Sequence, residues 1–396
     1  MRYLRASLRR DPGDYRPRAA VIIPVKGIDA GFNLHVAAFL AQDYPTYQLI
    51  FVVASREDPA HELLIQLIAA RPPSSQTKSL TPQGSGDPEL RATVVVAGYS
   101  DSRGEKVQNL LRGLAEVSRE IEVLVFADID ARPKVDWLRS LVAPLADPAV
   151  MVSTGFRWYL PGRGFTVRLR AAWDTTVATM LGDHGQNFAW GGSMAIRTAD
   201  FQRLRIAQDY WARTVSDDYA LTRAVRDAQG KIRFEPRCLV ASCEDSSFGD
   251  FFRWATRQVV LTRVYNVRLW RMGFASYVLY AAPFLLGLAL IVWPSFLSPA
   301  SSPTTVRAGV LATLTLILAF GMAKAATRTV VARELFPEER ETLARYGSCY
   351  WRLSILVPWI MLANFLVSAF SRRIEWRGVA YDLRSSGQVR IVRRSG

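Results

Sequence analysis

The sequence predicts an α/β protein, a mostly parallel sheet flanked by helices, followed by a C-terminal membrane region of about three helices. Three observations predict it. From residue 20 onward, short apolar runs rich in β-branched residues alternate with segments of helical period, the pattern of βαβ units. One such run, Ile121-Glu122-Val123-Leu124-Val125-Phe126-Ala127-Asp128-Ile129-Asp130, ends in two carboxylates one residue apart. After residue 270, three apolar stretches at about 274–296, 306–326 and 353–370 each approach the ~20 residues that a spanning helix needs.

The elements follow in order. Residues 20–25 form a strand that runs into Lys26-Gly27-Ile28-Asp29, and 32–41 has helical period. A second strand over 47–54 ends near Glu57-Asp58-Pro59 and leads into a helix over 60–70. The Pro-, Ser-, Thr- and Gly-rich stretch 71–89 reads as a surface loop. A strand over 92–98, a helix over 106–117 and the acidic strand come next, then a helix over 135–145 and a strand over 149–154. Trp190-Gly191-Gly192-Ser193-Met194 reads as a tight turn feeding a strand. Its glycine pair serves either an ordinary turn or a close approach of backbone to ligand. Ser216-Asp217-Asp218-Tyr219 opens a helix reaching 228, where an Asp can serve as a cap.

Residues 248–272 interleave Arg253, Arg257, Arg263, Arg268 and Arg271 with Trp254, Tyr265 and Trp270. That combination suits a helix lying in the headgroup region of a membrane, or a solvated helix with a buried aromatic face. The expected organisation is therefore a basic segment 1–19, an α/β domain 20–247, an interfacial helix 248–272, a membrane region 273–371 and a basic tail 372–396.

The chain has 396 residues and a net charge of +15. A balance this basic calls for nucleic acid, anionic lipid or a polyanionic substrate. The arginines sit beside apolar segments, and the sequence has no zinc-finger spacing, RRM-type aromatic motif or long basic tract. An anionic membrane surface is the expected partner, and nucleic acid is not. Three cysteines without CxxC spacing and three scattered histidines argue against a zinc site or a disulfide framework. Residues 1–20 lack an apolar h-region, so no signal peptide is expected and the α/β domain is expected in the cytosol.

Orientation poses a conflict. The link 297–305 carries no Lys or Arg and should face outward, whereas 324–352 is arginine-rich and should face inward. Three full spans would then put the tail outside. Yet that tail holds Arg372, Arg373, Arg377, Arg384, Arg390, Arg393 and Arg394. The prolines of the first and third segments favour a re-entrant or interfacial segment among the three.

Chemistry converges on the acidic strand ends Asp29, Glu57-Asp58, Asp128/Asp130 and Asp217-Asp218. In open α/β sheets, ligands bind beyond the carboxyl ends of the strands. Carboxylates gathered there repel one another unless a cation or donors sit among them. A nucleotide with Mg²⁺ or Mn²⁺ meets that need: one acid accepts from base or ribose, another holds the metal, and a third acts as general base.

The order of these pieces resembles the inverting family 2-type glycosyltransferases, and more specifically the ceramide glucosyltransferases and their bacterial relatives. The resemblance is carried by Lys26-Gly27-Ile28-Asp29, Asp43-Tyr44-Pro45, Glu57-Asp58-Pro59-Ala60, Lys106-Val107-Gln108-Asn109-Leu110, Asp128-Ile129-Asp130, Asp217-Asp218-Tyr219 and Glu375-Trp376-Arg377-Gly378-Val379-Ala380-Tyr381. It implies a GT-A type fold and roles by position. Asp58 or Glu57 would contact the uridine, and Asp29, Lys106 and Asp217 would lie on the nucleotide-sugar side. Asp128 and Asp130 would hold Mg²⁺ or Mn²⁺ on the diphosphate, and Asp218 would be the catalytic base. The family's last motif, Arg/Gln-x-x-Arg-Trp, fits here in two imperfect registers, 250–254 and 254–258. Arg253, Trp254, Arg257 and Gln258 are therefore all candidates for the diphosphate. The implied activity is transfer of a sugar, glucose by the resemblance, from a UDP-sugar to a lipid hydroxyl such as that of ceramide. The implied place is the inner (plasma) membrane, multi-pass, with the catalytic domain cytoplasmic. Other readings are a processive polysaccharide synthase, a hopanoid or diacylglycerol acceptor, and a non-catalytic membrane-tethered nucleotide-binding protein.

Overall fold

Residues 2–11, 13–70, 89–292 and 303–394 are described by the computed structural model. Most of the expected loop 71–89 and the end of the first apolar segment lie outside the described residues. A short helix α1 (Arg2–Arg9) precedes the sheet. The contiguous apolar runs become β1 (Ala19–Val25), β2 (Thr46–Val53), β3 (Glu89–Val96) and β4 (Val123–Ala127). These pair in parallel, β3 with β2, β2 with β1 and β1 with β4. Helices α2 (Phe32–Leu40), α3 (Pro59–Ala69) and α4 (Glu105–Leu114) lie between them in sequence, and α5 (Trp137–Val142) follows. The second half adds β5 (Val150–Tyr159), α6 (Phe165–Ala178), β6 (Ser193–Arg197), α7 (Thr198–Arg203), α8 (Asp217–Asp227) and β7 (Lys231–Ser242). The sheet order is β3-β2-β1-β4-β6-β5-β7, with β6 antiparallel to both β4 and β5. This mostly parallel sheet with flanking helices is the GT-A type architecture that the resemblance implied.

The strands read as unbroken apolar runs because helices cover both faces. Alternate residues point to opposite sides. Val21, Ile23, Leu49, Phe51 and Val125 face one core with Val36 and Leu138. Ala20, Ile22, Ile50, Val52 and Phe126 face the other with Leu110 and Leu221.

The chain divides into two compact units. The first comprises Met1–Arg157, Met180–Ser242 and Arg373–Gly396; the second comprises Trp158–Thr179 and Cys243–Arg372. The first unit holds the sheet and also the C-terminus. The expected basic tail is folded: residues 373–394 form β8 (Arg373–Trp376), β9 (Val379–Ser385) and β10 (Gln388–Arg394), a three-stranded antiparallel sheet. Val379, Tyr381 and Leu383 alternate inward on β9, which is what makes the segment fold. Arg377 pairs with Asp29, Arg394 pairs with Asp101 at 3.3 Å, and Arg223 donates to Ser386.

The second unit is helical. The expected helix over 248–272 is in fact two: α9 (Phe248–Tyr265) ends at Asn266, and α10 (Val267–Val292) begins there. Pro283 does not interrupt α10, because it sits inside a continuous helix; membrane helices tolerate proline where neighbours and local adjustment satisfy the freed carbonyl. The second apolar segment is α11 (Pro303–Leu335), followed by α12 (Arg340–Tyr346) and α13 (Cys349–Arg352). The third is broken. Between α13 and α14 (Val357–Phe370) the chain bends by 58°, with Pro358 in the first turn of α14, the one helix position where a missing N–H costs nothing. Among the described residues, two helices are therefore long and apolar enough to cross a membrane, or three if the bent pair is one span. On α10 and α11, Leu279, Leu285, Leu288, Leu311 and Phe320 are exposed, apolar surface that water would not favour.

α14 is different. Val357, Met361 and Phe365 are buried with Phe251, Ala255 and Val259 of α9 and Leu169 and Trp173 of α6. Asn364 is fully buried; it accepts from Trp173 Nε1 at 3.2 Å and donates to Thr256 Oγ1 at 3.0 Å. The polar residue of this apolar segment is thus satisfied by protein.

Candidate active site

The carboxylates and their cations lie at the carboxyl ends of the strands of the first unit. β4 ends at Ala127 and delivers Asp128 and Asp130. Because β6 runs antiparallel beside β4, with Ala127 opposite Ser193, the Gly191-Gly192 turn falls next to Asp128. Lys106, in the first turn of α4, reaches into this corner. Its Nζ lies 2.8 Å from Asp128 Oδ1 and 3.2 Å from Asp217 Oδ2, and donates to the Gly191 carbonyl at 3.2 Å. Burial alone would lower the Lys106 pKa; the carboxylates of Asp128, Asp217 and Asp218 override it and keep the ammonium charged. Lys106 is therefore a buried bridge and not a solvated helix charge.

The acidic pair on α8 divides its work. The helix is capped by Ser216, not by either Asp. Asp217 turns inward and is 2 % exposed. Burial pushes its carboxyl up to about 7, Lys106 opposing and Asp218 and Asp128 adding to the rise. Asp218 stays half-buried. Its Oδ1 accepts from Tyr219 N at 2.7 Å and from Ser216 Oγ, and its Oδ2 accepts from Gly191 N at 3.3 Å. A carboxylate so held at a helix N-terminus is fixed in orientation.

The glycine pair is a close-approach device. A side chain on Gly191 would collide with Asp217 Oδ2 and come within 2.7 Å of Lys106 Nζ. One on Gly192 would strike the Trp190 ring and come within 2.8 Å of Asp128 Oδ2.

Arg157, near the end of β5, grips Asp130 with a fork at 2.6 and 3.1 Å, and its Nη2 lies 3.8 Å from Asp128 Oδ2. Its guanidinium lies over the Trp190 ring at 5.3 Å. Burial alone would raise the Asp130 carboxyl; Arg157 holds it below the usual range. Among the described residues no group of three His, Cys, Asp or Glu side chains is placed to hold a metal. Mg²⁺ needs no such group: it is commonly bound by one or two carboxylates with waters and substrate phosphates supplying the rest. Asp128 fits that role best, since its Oδ2 lies 3.8 Å from Arg157 Nη2, while both Asp130 oxygens are gripped at 2.6 and 3.1 Å.

The loop after β1 carries Asp29, the residue expected on the nucleotide side. Asp29 pairs with Arg377, and Lys26 pairs with Glu105 at 2.9 Å. Asp58 is the N-cap of α3, accepting from Ala60 N at 2.9 Å, and both of its oxygens also accept from Gly27 N at 3.0 Å. It ties the β1 loop to α3. Glu57 is exposed. The remaining candidates belong to the second unit. Arg253 is exposed and pairs with Asp250 one turn back. Trp254 packs on Tyr159 and Trp173 with the Arg170 guanidinium 4.4 Å over its ring. Arg257 and Gln258 occupy the same helix. Sequence reasoning missed Arg157; the available signal was a lone charge in the otherwise uncharged run 150–159.

The sheet thus carries its carboxylates and their buried lysine bridge at the strand ends, where α/β enzymes place their ligands. The chain belongs to glycosyl transferase family 21, whose model matches residues 2–389. Among solved structures it is similar to the mannosyltransferase from Pyrobaculum calidifontis in complex with GDP-Man and Mn²⁺, with 16 % identity, 93 % of this chain and 92 % of that chain covered, and a TM-score of 0.46. It is also similar to the glucosyl-3-phosphoglycerate synthase from Mycobacterium tuberculosis in complex with Mn²⁺ and UDP-glucose, with 14 % identity, 66 % and 81 % coverage and a TM-score of 0.37.

Proposed function

We propose that this glycosyltransferase moves a hexose, glucose by the resemblance, from a UDP-sugar to a lipid hydroxyl such as that of ceramide, with inversion. The observation that carries the reading is the Lys106 bridge. It joins Asp128 at the strand end to Asp217, whose neighbour Asp218 is the half-buried carboxylate held by Gly191 and Tyr219. The donor end and the base end of the site are thus one network.

In this reading the acceptor hydroxyl attacks the anomeric carbon from the face opposite the diphosphate, and Asp218 takes its proton. Asp217 stays buried and holds Lys106 in place. Lys106 and Arg157 supply positive charge beside the diphosphate as the leaving group develops negative charge. A divalent cation held by Asp128, with Asp130, would supply Lewis-acid stabilisation of that same charge. Asp29 faces the nucleoside, with Asp58 fixing its loop.

The lipid acceptor is supported by the exposed leucines of α10 and α11 and by the net charge of +15. Residues 373–394 belong to the same unit as the sheet, so this reading keeps both on one side of the membrane with an even number of crossings. At 1.5 Å per residue, α10 and α11 are about 39 and 50 Å long, enough to cross; α14 by itself is about 21 Å long and falls short, so in this reading the bent pair does not cross. This two-crossing reading puts every arginine of the tail on the cytosolic side, as the positive-inside rule asks. The test is to incubate membranes from an expressing host with a panel of labelled UDP-sugars, with and without EDTA. Label should appear in a lipid extract and be lost with EDTA; no labelled lipid from any UDP-sugar would sink the reading.

A further inference from the structure

The C-terminal hairpin ends on the nucleotide side of the site. Trp376 pairs with Val379, so Arg377 and Gly378 form a two-residue turn, and both have positive φ, 45° and 77°. Such a turn favours Asn, Asp or Gly at its first position; a long side chain there holds strained backbone. Strain of this kind persists where the surroundings over-determine it, and it concentrates at functional sites. The surroundings here are specific. The Arg377 guanidinium forks onto Asp29 at 2.6 and 3.3 Å, and its Nη1 also donates to the Lys26 carbonyl at 2.8 Å. Four residues on, Tyr381 Oη accepts from the Glu105 N–H at 3.2 Å, and Glu105 in turn pairs with Lys26 Nζ. The loop after β1 is therefore gripped at both ends by a hairpin some 348 residues further along the chain.

We infer that the C-terminal hairpin is a working part of the donor site, and that Arg377 is a positioning residue that fixes Asp29 and the 26–29 loop for the nucleotide. The inference rests on Asp29 lying on the nucleotide side. A loop already held in its binding geometry loses less freedom when ligand arrives. Loss of the fork should therefore appear in donor affinity and not in the chemical step. Glycine separates this role from a purely structural one: at a positive-φ position it relieves strain, so the hairpin keeps or gains stability while the guanidinium is lost.

The experiment uses the full-length detergent-solubilised protein and compares wild type, Arg377→Gly and Arg377→Lys. UDP binding is titrated in Mg²⁺-containing buffer, donor KM and kcat are measured, and thermal unfolding is followed. Arg377→Gly should weaken UDP binding and raise donor KM by about tenfold or more, with kcat changed by less than about threefold and the unfolding midpoint unchanged or higher. Arg377→Lys should recover part of the affinity, because it keeps the charge and loses the fork. Wild-type UDP affinity in Arg377→Gly would overturn the inference and leave the donor reading standing. A fall in the midpoint that Arg377→Lys repairs without repairing UDP affinity would likewise overturn it. Failure of the wild type to bind UDP would remove the donor reading itself, and the inference with it.

Discussion

Lys106→Met removes the cation at the centre of the carboxylates while keeping an unbranched side chain of similar length. In the native site Nζ sits 2.8 Å from Asp128 and 3.2 Å from Asp217, with the lysine 12 % and Asp217 2 % exposed. At an effective dielectric of about 20, each contact is worth roughly 5–6 kcal/mol of attraction. Burying the ammonium and the carboxylates costs several kcal/mol per ion in return, so the intact bridge contributes little net stability. Breaking it is another matter. Methionine leaves Asp217 buried without its cation, and removing one partner of a buried pair costs about 3–5 kcal/mol. For a unit of this size that is a fall of roughly 6–20 °C in the thermal midpoint. The sign of the pH dependence follows from Asp217. Its folded pKa is already raised to about 7, so the stability linked to its protonated form is present at low pH and lost as pH rises through that value. Without Lys106 the pKa climbs further, and the penalty should be larger at pH 8 than at pH 6. Adding Asp217→Asn should return more than half of the lost stability, because the cost lies in the orphaned carboxylate. The assay is thermal unfolding of the solubilised protein by intrinsic tryptophan fluorescence. A loss below about 1 kcal/mol, or a double variant no better than Lys106→Met alone, would refute the reasoning.

Two further outcomes are expected. Gly191→Ala should part Lys106 from Asp217 and cost about 1–3 kcal/mol together with most of the turnover, measured by the same unfolding assay and by sugar transfer; near-wild-type values in both would show that the close approach is dispensable. Gly387→Cys, at the open β9–β10 turn and in a background where the exposed Cys243 is replaced by Ser, should react with an impermeant maleimide in inside-out vesicles and not in intact cells; labelling of intact cells would contradict the two-crossing arrangement.

What the sequence made legible follows from burial. β1, β2 and β4 were readable because a strand buried on both faces is a contiguous apolar run, and their shortness and β-branched content set them apart from a buried helix. α6 passed unpredicted because its polar residues Arg170, Asp174 and Thr175 are themselves buried, which erases the apolar stripe that a periodicity search needs. The tail hairpin carried its alternation openly at Val379, Tyr381 and Leu383, but its arginines drew the reading toward a basic tail and its side of the membrane. Pro358 correctly marked the break in the third apolar segment, whereas Pro283 did not break the first, since a proline forces a bend only where its surroundings leave the freed carbonyl unsatisfied. In the site, Asp128 and Asp130 stood out from their place at a strand end, whereas Asp218 was chosen over Asp217 by the resemblance alone. Their cations were less legible: Lys106 was singled out, Arg157 lay hidden in a strand, and Arg377 came from the far end of the chain, where no local pattern links it to Asp29.

The central claim is that Asp218 takes the acceptor proton in sugar transfer, and the most direct measurement is made on Asp218→Asn. The amide keeps the side chain's shape and loses its basicity. Lipid-linked sugar formation from the UDP-sugar that labels the wild type should fall by at least about 10²–10⁴-fold, the usual contribution of a general base, with UDP binding within about threefold of wild type. Wild-type turnover in Asp218→Asn would contradict the account.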